Sequence, residues 1–289
     1  MFRLFTYTLK ALLIIGALCL IPIVFLTVFH QDVGVEFRQI RQPKPSRFFI
    51  GIDISQTINP EVLFDFKIAL IERLKYFVGN ERFYYNITVF GVPGCGDEAI
   101  KKIVENNSPP DTFTFSETVE KKVGGLSIAY GGGYQERQKQ LTTPLNRYLE
   151  NTFLERRGER LIVFSDLVND DTICWEKYGF PLEAAAKFGE NSKGQIIFLY
   201  TTSYISSGSS DTERRENLDA SQELFIKRMK ELIKDGKIRA FFYKIPDDPE
   251  QRKEFLKETL KICFPDTTFE IIWSRVSMVM KSIIGAVRG

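Results

Sequence analysis

The chain has 289 residues with 39 Lys and Arg against 37 Asp and Glu, a net charge of +2. Both signs are interspersed and no basic stripe or tail stands out, which excludes nucleic acid as the expected partner. The single histidine, His30, borders an apolar run, so His-based acid–base catalysis is excluded as well.

Residues 1–10 form a short N-terminal segment carrying Arg3 and Lys10. The next nineteen residues, ALLIIGALCLIPIVFLTVF at 11–29, contain no charge. At about 1.5 Å per residue, roughly 20 apolar residues cross a bilayer core, so this run predicts one transmembrane helix. Pro22 is tolerated in such a span. The run exceeds the roughly 7–15 residues of a signal-peptide core and no small-x-small site follows it, which favours an uncleaved anchor. Arg3 and Lys10 favour an inside N-terminus, whereas Arg38, Arg41, Lys44 and Arg47 pull the other way. A short N-terminus is easily retained and long domains cross largely regardless of charge, so the domain is expected on the extracytoplasmic side. Residues 30–47, polar and holding Pro43 and Pro45, read as a juxtamembrane linker.

A domain is expected over 48–289. Phe48-Phe49-Ile50-Gly51-Ile52 reads as a buried parallel strand. Asn59-Pro60 then opens a helix whose Leu63, Phe66, Leu70, Leu74 and Phe77 recur at helical spacing until Gly79. A second strand covers Ile87 to Val92. Asp97 is expected to cap a short helix to about Glu105, and Thr112 to Phe115 reads as a strand. Pro144 to Glu155 is a helix, and Arg160-Leu161-Ile162-Val163-Phe164-Ser165 is a buried strand. Then come a helix from Pro181, a strand at Gln195 to Tyr200, a long helix from about Thr212 to Lys234, a strand at Ile238 to Ile245 and a helix from Pro249. A last strand at 268–273 and a helix bearing Val276, Val279, Ile283 and Val287 close the chain. The alternation predicts an α/β fold: one doubly wound, mostly parallel sheet with helices on both faces.

Outside the apolar run there are three cysteines, Cys95, Cys174 and Cys263; the odd count and irregular spacing argue against a disulfide framework and a zinc site. The Asn86-Ile87-Thr88 sequon lies inside an expected strand and reads as chance. The glycine run at 131–133 is a turn rather than a phosphate cradle, since no lysine motif follows. Asp170-Asp171 reads as a solvated loop, and the serine-rich stretch 206–210 as a flexible one.

In open α/β sheets ligands bind at the carboxyl ends of strands. The first strand ends in Asp53-Ile54-Ser55-Gln56-Thr57, where a carboxylate and two hydroxyls alternate and can point the same way. Oxygen donors without nitrogen or sulfur suit Mg²⁺, Mn²⁺ or Ca²⁺. The strand ending at Ser165 brings Asp166 to the same rim.

FFIGIDISQT resembles the first strand and Asp-x-Ser-x-Ser/Thr motif of von Willebrand factor type A domains, and RLIVFSD resembles that family's strand ending in a metal-site aspartate. The resemblance covers about twenty residues in motif and the rest in order of elements. It implies a metal-ion-dependent adhesion site in which Ser55 and Thr57 are direct ligands and Asp53 and Asp166 act through bound waters. It also implies a threonine from a loop opening a helix. Thr143 suits that role because Leu145 and Leu149 then fall on the helix's apolar face, with Thr142 as the alternative. The implied partner is a protein that offers an acidic residue to the ion. The chain departs from the pattern twice: no Gly-Gly directly precedes the threonine, and Leu167 follows Asp166 where the family commonly has glycine. Two other readings stand beside this one. GIDISQT loosely resembles the first phosphate loop of actin-like ATPases, and the domain could be a metal-free structural component of a membrane complex.

Overall fold

The computed structural model describes residues 46–80, 82–128, 142–155, 160–171, 174–191, 195–205 and 212–265. The chain divides into two units, Met1–Lys44 and Pro45–Gly289, and every described residue belongs to the second. The expected anchor at 11–29, the linker up to residue 45, the glycine run at 131–133, the loop at 206–210 and the closing strand and helix lie outside the described residues. Among the described residues no helix is long and apolar enough to cross a membrane.

Six strands form one sheet: β1 (Ser46–Asp53), β2 (Phe83–Phe90), β3 (Ile100–Asn107), β4 (Arg160–Ser165), β5 (Gln195–Tyr200) and β6 (Arg239–Lys244). Their spatial order is β3-β2-β1-β4-β5-β6, and every pair is parallel except β2 with β3. Ile50 lies opposite Ile87 of β2 on one side and Ile162 of β4 on the other. The winding reverses between β1 and β4, the place where a crevice opens at the strands' carboxyl ends.

Strand side chains alternate between two apolar layers. Phe48, Ile50, Ile52, Ile162, Phe164, Ile197 and Leu199 meet helices α1 (Pro60–Lys75), α2 (112–124) and α6 (Pro249–Cys263). Phe49, Leu161, Val163, Ile196 and Phe198 meet α3 (Leu145–Glu155), α4 (Leu182–Asn191) and α5 (Thr212–Lys234). Helices therefore cover both faces, as the alternation predicts.

Local chemistry fixes the ends of the helices. The Asn59 side chain accepts from the Glu61 N–H at 2.8 Å with Pro60 in the first turn, and Asp248 accepts from Gln251 at 2.9 Å ahead of Pro249. α1 and α6 are locked by Arg252, 4% exposed, whose Nε donates to Asp65 at 2.6 Å.

Two expected elements are corrected. The residues after Asp97 do not make a helix: only Gly96–Ala99 form a 3₁₀ turn, and Ile100–Asn107 is the antiparallel edge strand β3. Pairing with β2 outweighs the weak local preference of IKKIVENN, and exposed Lys101 and Lys102 suit a sheet edge. Thr112 to Phe115 is helical rather than extended. Asp111 accepts from the Thr114 N–H at 2.8 Å, and Phe115, Val119 and Val123 are buried at four-residue spacing through α, π and α turns.

Gly51 lies beneath the ring of buried Tyr148, which stacks on Phe90 at 4.7 Å; a Cβ at Gly51 would stand 2.4 Å from the Tyr148 hydroxyl oxygen. Gly51→Ala should therefore destabilise the domain by about 1–3 kcal/mol through overpacking. Adding Tyr148→Leu should remove most of the penalty that the alanine imposes. Urea denaturation of the two singles and the double measures this, and an equal alanine penalty in both backgrounds would refute the contact.

Candidate functional site

β1 and β4 end side by side, Ile52 opposite Phe164, so their next residues converge at the switch point. Asp53 and Asp166 are both 0% exposed there. Beyond β1 the chain turns on Asp53 itself, whose Oδ1 accepts the Ser55 N–H at 2.9 Å. The Ile54 N–H donates to the Phe90 carbonyl at 3.0 Å, which seats the turn against the end of β2. Gly91 follows with φ of 83°, and a Cβ on it would stand 2.8 Å from the Ser55 nitrogen. Only glycine meets both the left-handed backbone and the close approach.

The turn aims Ser55 and Thr57 inward, their hydroxyl oxygens 3.2 Å apart. Ser165 donates to Asp53 Oδ2 at 2.7 Å and accepts the Leu167 N–H at 2.9 Å. Asp166 accepts the Ser203 hydroxyl at 2.8 Å and the Val168 N–H at 3.1 Å, and the Thr57 hydroxyl also bonds it. Four of the five residues singled out by sequence (Asp53, Ser55, Thr57 and Asp166) thus share one hydrogen-bonded network.

The fifth, Thr143, is buried and joins the rim through its backbone. Its N–H donates to the Asp170 carbonyl at 2.6 Å, and the Asp170 N–H returns to the Thr143 carbonyl at 3.1 Å. The Thr142 hydroxyl donates to the Gly94 carbonyl at 2.7 Å. Asp170 is thus a structural partner of that loop as well as a polar loop residue. Leu167, where a glycine was expected, takes φ of 62° and is fully buried in the apolar layer around α3. The turn that a glycine would make is kept by burying a leucine.

Burial raises both carboxyl groups: Asp53 to about 7, with the Asp166 charge adding to it and Ser55 and Ser165 opposing, and Asp166 to about 6, opposed by Thr57 and Ser203. Among the described residues no Lys or Arg is ion-paired with either. No cluster of three or more His, Cys, Asp or Glu that could hold a metal occurs among the described residues either. The donors at hand are two carboxylates and several hydroxyls, all oxygen. That oxygen set, buried and without a counter-charge among the described residues, fits a hard divalent cation rather than a thiophilic one.

Sequence reasoning missed several contributors. Ser165 precedes Asp166 in the same FSD string and could have been counted with it. Ser203 follows β5 and reaches the rim from there. Gln222 of α5, which donates to the carbonyls of Asp166 and, at 2.9 Å, Thr201, carries no local signal at all. The cysteines are also corrected: Cys95 and Cys174 form a disulfide with Cα atoms 5.7 Å apart, while Cys263 is buried at the end of α6. An odd count misleads when one thiol belongs to the core.

No family model and no curated protein matches the chain. Solved structures similar to it include the pilus adhesin SpaC of Lactobacillus rhamnosus GG, at 10% identity and a TM-score of 0.48 over 77% of this chain and 30% of that one. The PilB minor pilin of Streptococcus sanguinis matches at 12% and 0.45, over 77% and 62%, and a von Willebrand factor type A protein of Catenulispora acidiphila at 14% and 0.43, over 75% and 42%. The chain spans less than two thirds of the length of each.

The buried pair implies a pH dependence. A carboxyl raised on folding binds its proton more tightly in the native state, so its contribution is full below the unfolded value near 4 and is lost as pH rises through the folded value. In chelator, the melting temperature should fall between pH 5 and pH 8, and Asp53→Asn should flatten the fall. With one histidine in the chain, little else titrates in that window. A melting temperature that holds or rises across it would contradict the buried pair.

Proposed function

We propose that this chain is a membrane-tethered von Willebrand factor type A-like module that binds a protein partner through a divalent ion, Mg²⁺ or alternatively Mn²⁺ or Ca²⁺. The observation that carries the reading is the pair of fully buried carboxylates, Asp53 and Asp166, brought together at the switch point without an ion-paired Lys or Arg among the described residues. Two such charges cost several kcal/mol each to bury unless a cation is beside them. Ser55, Thr57 and Thr143 would be the hydroxyl ligands, with Asp53 and Asp166 behind them. Bound there, the ion would supply an open coordination position for an acidic side chain of the partner. The chain's own part is to orient: Ser165 and the Ser55 amide fix Asp53, and Ser203 and Val168 fix Asp166. Trp175, fully exposed beside Cys174, offers an apolar contact on the loop that follows β4.

The nineteen uncharged residues at 11–29 are the proposed single-pass anchor. The Cys95–Cys174 disulfide supports an extracytoplasmic domain, because such bonds persist in oxidising compartments. In cells, added protease should cleave the domain without lysis, and the two cysteines should resist maleimide until reduced. Cleavage only after lysis would place the domain inside.

Saturating Mg²⁺ or Mn²⁺ should raise the stability of the full chain by about 2.7 kcal/mol at a hundredfold excess over Kd. Asp53→Ala and Ser55→Ala should each remove the increment while the far-UV circular dichroism stays native. No ion-dependent rise in the unaltered chain would leave a metal-free structural role as the surviving reading. Partner binding that persists in chelator would likewise rule out the ion.

A further inference from the structure

Three loops at the end of the sheet that carries the candidate site are tied to one another. The first, between β2 and β3, holds Gly94, Cys95 and Asp97. The second, opening α3, holds Thr142 and Thr143. The third, after β4, runs through Asn169 and Asp170 to Cys174 and Tyr178.

First and second are joined by the Thr142 hydroxyl on the Gly94 carbonyl at 2.7 Å and by Arg147, whose Nε and Nη2 both donate to Asp97 at 2.8 Å. Asn151 adds a bond to Asp97 at 2.7 Å. Second and third are joined by the Thr143–Asp170 backbone bridge, by the Asn146 N–H on Asn169 Oδ1 at 2.9 Å, and by Asn146 Nδ2 on the Tyr178 carbonyl at 2.8 Å. First and third are joined by the disulfide, which links positions 79 residues apart. The Tyr178 ring lies under the Arg147 guanidinium at 4.9 Å and against Gly96, where a Cβ would meet its hydroxyl oxygen at 2.9 Å.

Arg147 is therefore the centre of this triangle and the disulfide is its covalent side. Among the described residues, the loop at 142–144 is held by an isolated bridge rather than by a strand of the sheet. Its place depends on neighbours, and both neighbours are pinned to each other by Cys95–Cys174. Loosening that side frees the first and third loops to separate, and the second loop, bonded to both, cannot follow both.

The geometry points to a positioning role: the Cys95–Cys174 disulfide, acting with the Arg147–Asp97 pair, holds Thr143 on Asp170 in the loop that follows Asp166, and its loss weakens the binding of a divalent ion. The ion half of this rests on the reading above; the loop half does not. Outer partners of a metal site typically contribute tenfold to a hundredfold in affinity, so a loss of about tenfold or more is expected.

The test uses the full chain, the Cys95→Ser/Cys174→Ser double variant, and Arg147→Gln with the disulfide intact. Mn²⁺ alone is titrated and the free ion followed by paramagnetic resonance, while amide hydrogen exchange is read at Thr143 and Asp170 and, as a control, at Ile162 and Phe198. The role is supported if both variants lose Mn²⁺ affinity and exchange faster at the two bridge amides, with the sheet amides unchanged. It is overturned if the disulfide variant keeps native circular dichroism and binds Mn²⁺ as the parent does, or if its bridge amides exchange at the parental rate. Should that variant fail to fold, Arg147→Gln decides by the same two criteria. If the unaltered chain binds no Mn²⁺, the ion reading and the ion half of this role fall together, and exchange at the bridge amides decides whether the disulfide holds the loop.

Discussion

Two buried carboxyl groups at the ends of adjacent parallel strands set the terms for the rest of this domain. Burial raises both groups, the Asp166 charge adds to the cost at Asp53, and the surrounding structure answers both. Ser165 and the Ser55 amide lean on one carboxylate; Ser203, Thr57 and the Val168 amide lean on the other. The sheet itself is arranged around the same place, since its winding reverses between the strands that carry them. A fold of this kind can tolerate such a cluster because the two apolar layers are complete without it. Ile52 and Phe164 fill one layer and Val163 and Phe198 the other, directly beneath the acids.

The rim around the acids is built differently from the sheet. Below, order comes from continuous strand pairing and buried apolar side chains; above, it comes from specific bonds between loops. Arg147 shows the contrast. It is anchored on α3, yet its partners Asp97 and Tyr178 belong to the two flanking loops. The pair with Asp97 is only half shielded from solvent, so its value lies in fixed bidentate geometry rather than in raw attraction. That is suited to holding a surface in one shape.

Much of this was legible in the residues. Apolar runs such as RLIVFS and QIIFLY, and caps such as Asn59-Pro60, depend on neighbours in sequence, and they read correctly. The acid–hydroxyl alternation from Asp53 to Thr57 was readable for the same reason. What failed depended on distant partners. Ile100–Asn107 becomes a strand because β2 has an open edge, not because of its own residues. TFTF alternates like a strand, but the decisive apolar residues, Val119 and Val123, lie beyond it on a path capped by Asp111. The disulfide joins positions that no local spacing could relate, and Gln222 reaches the Asp166 carbonyl from a helix that begins long after the motif has ended.

Leu167 couples two scales that are usually separate. A left-handed backbone costs a leucine about 1–2 kcal/mol relative to glycine, and here the side chain is held by its burial among α3 and β4 residues. A glycine would make the loop indifferent to the state of the core; leucine makes it a dependent. The backbone beside Asp166 thus owes its shape to the packing of the layer beneath it.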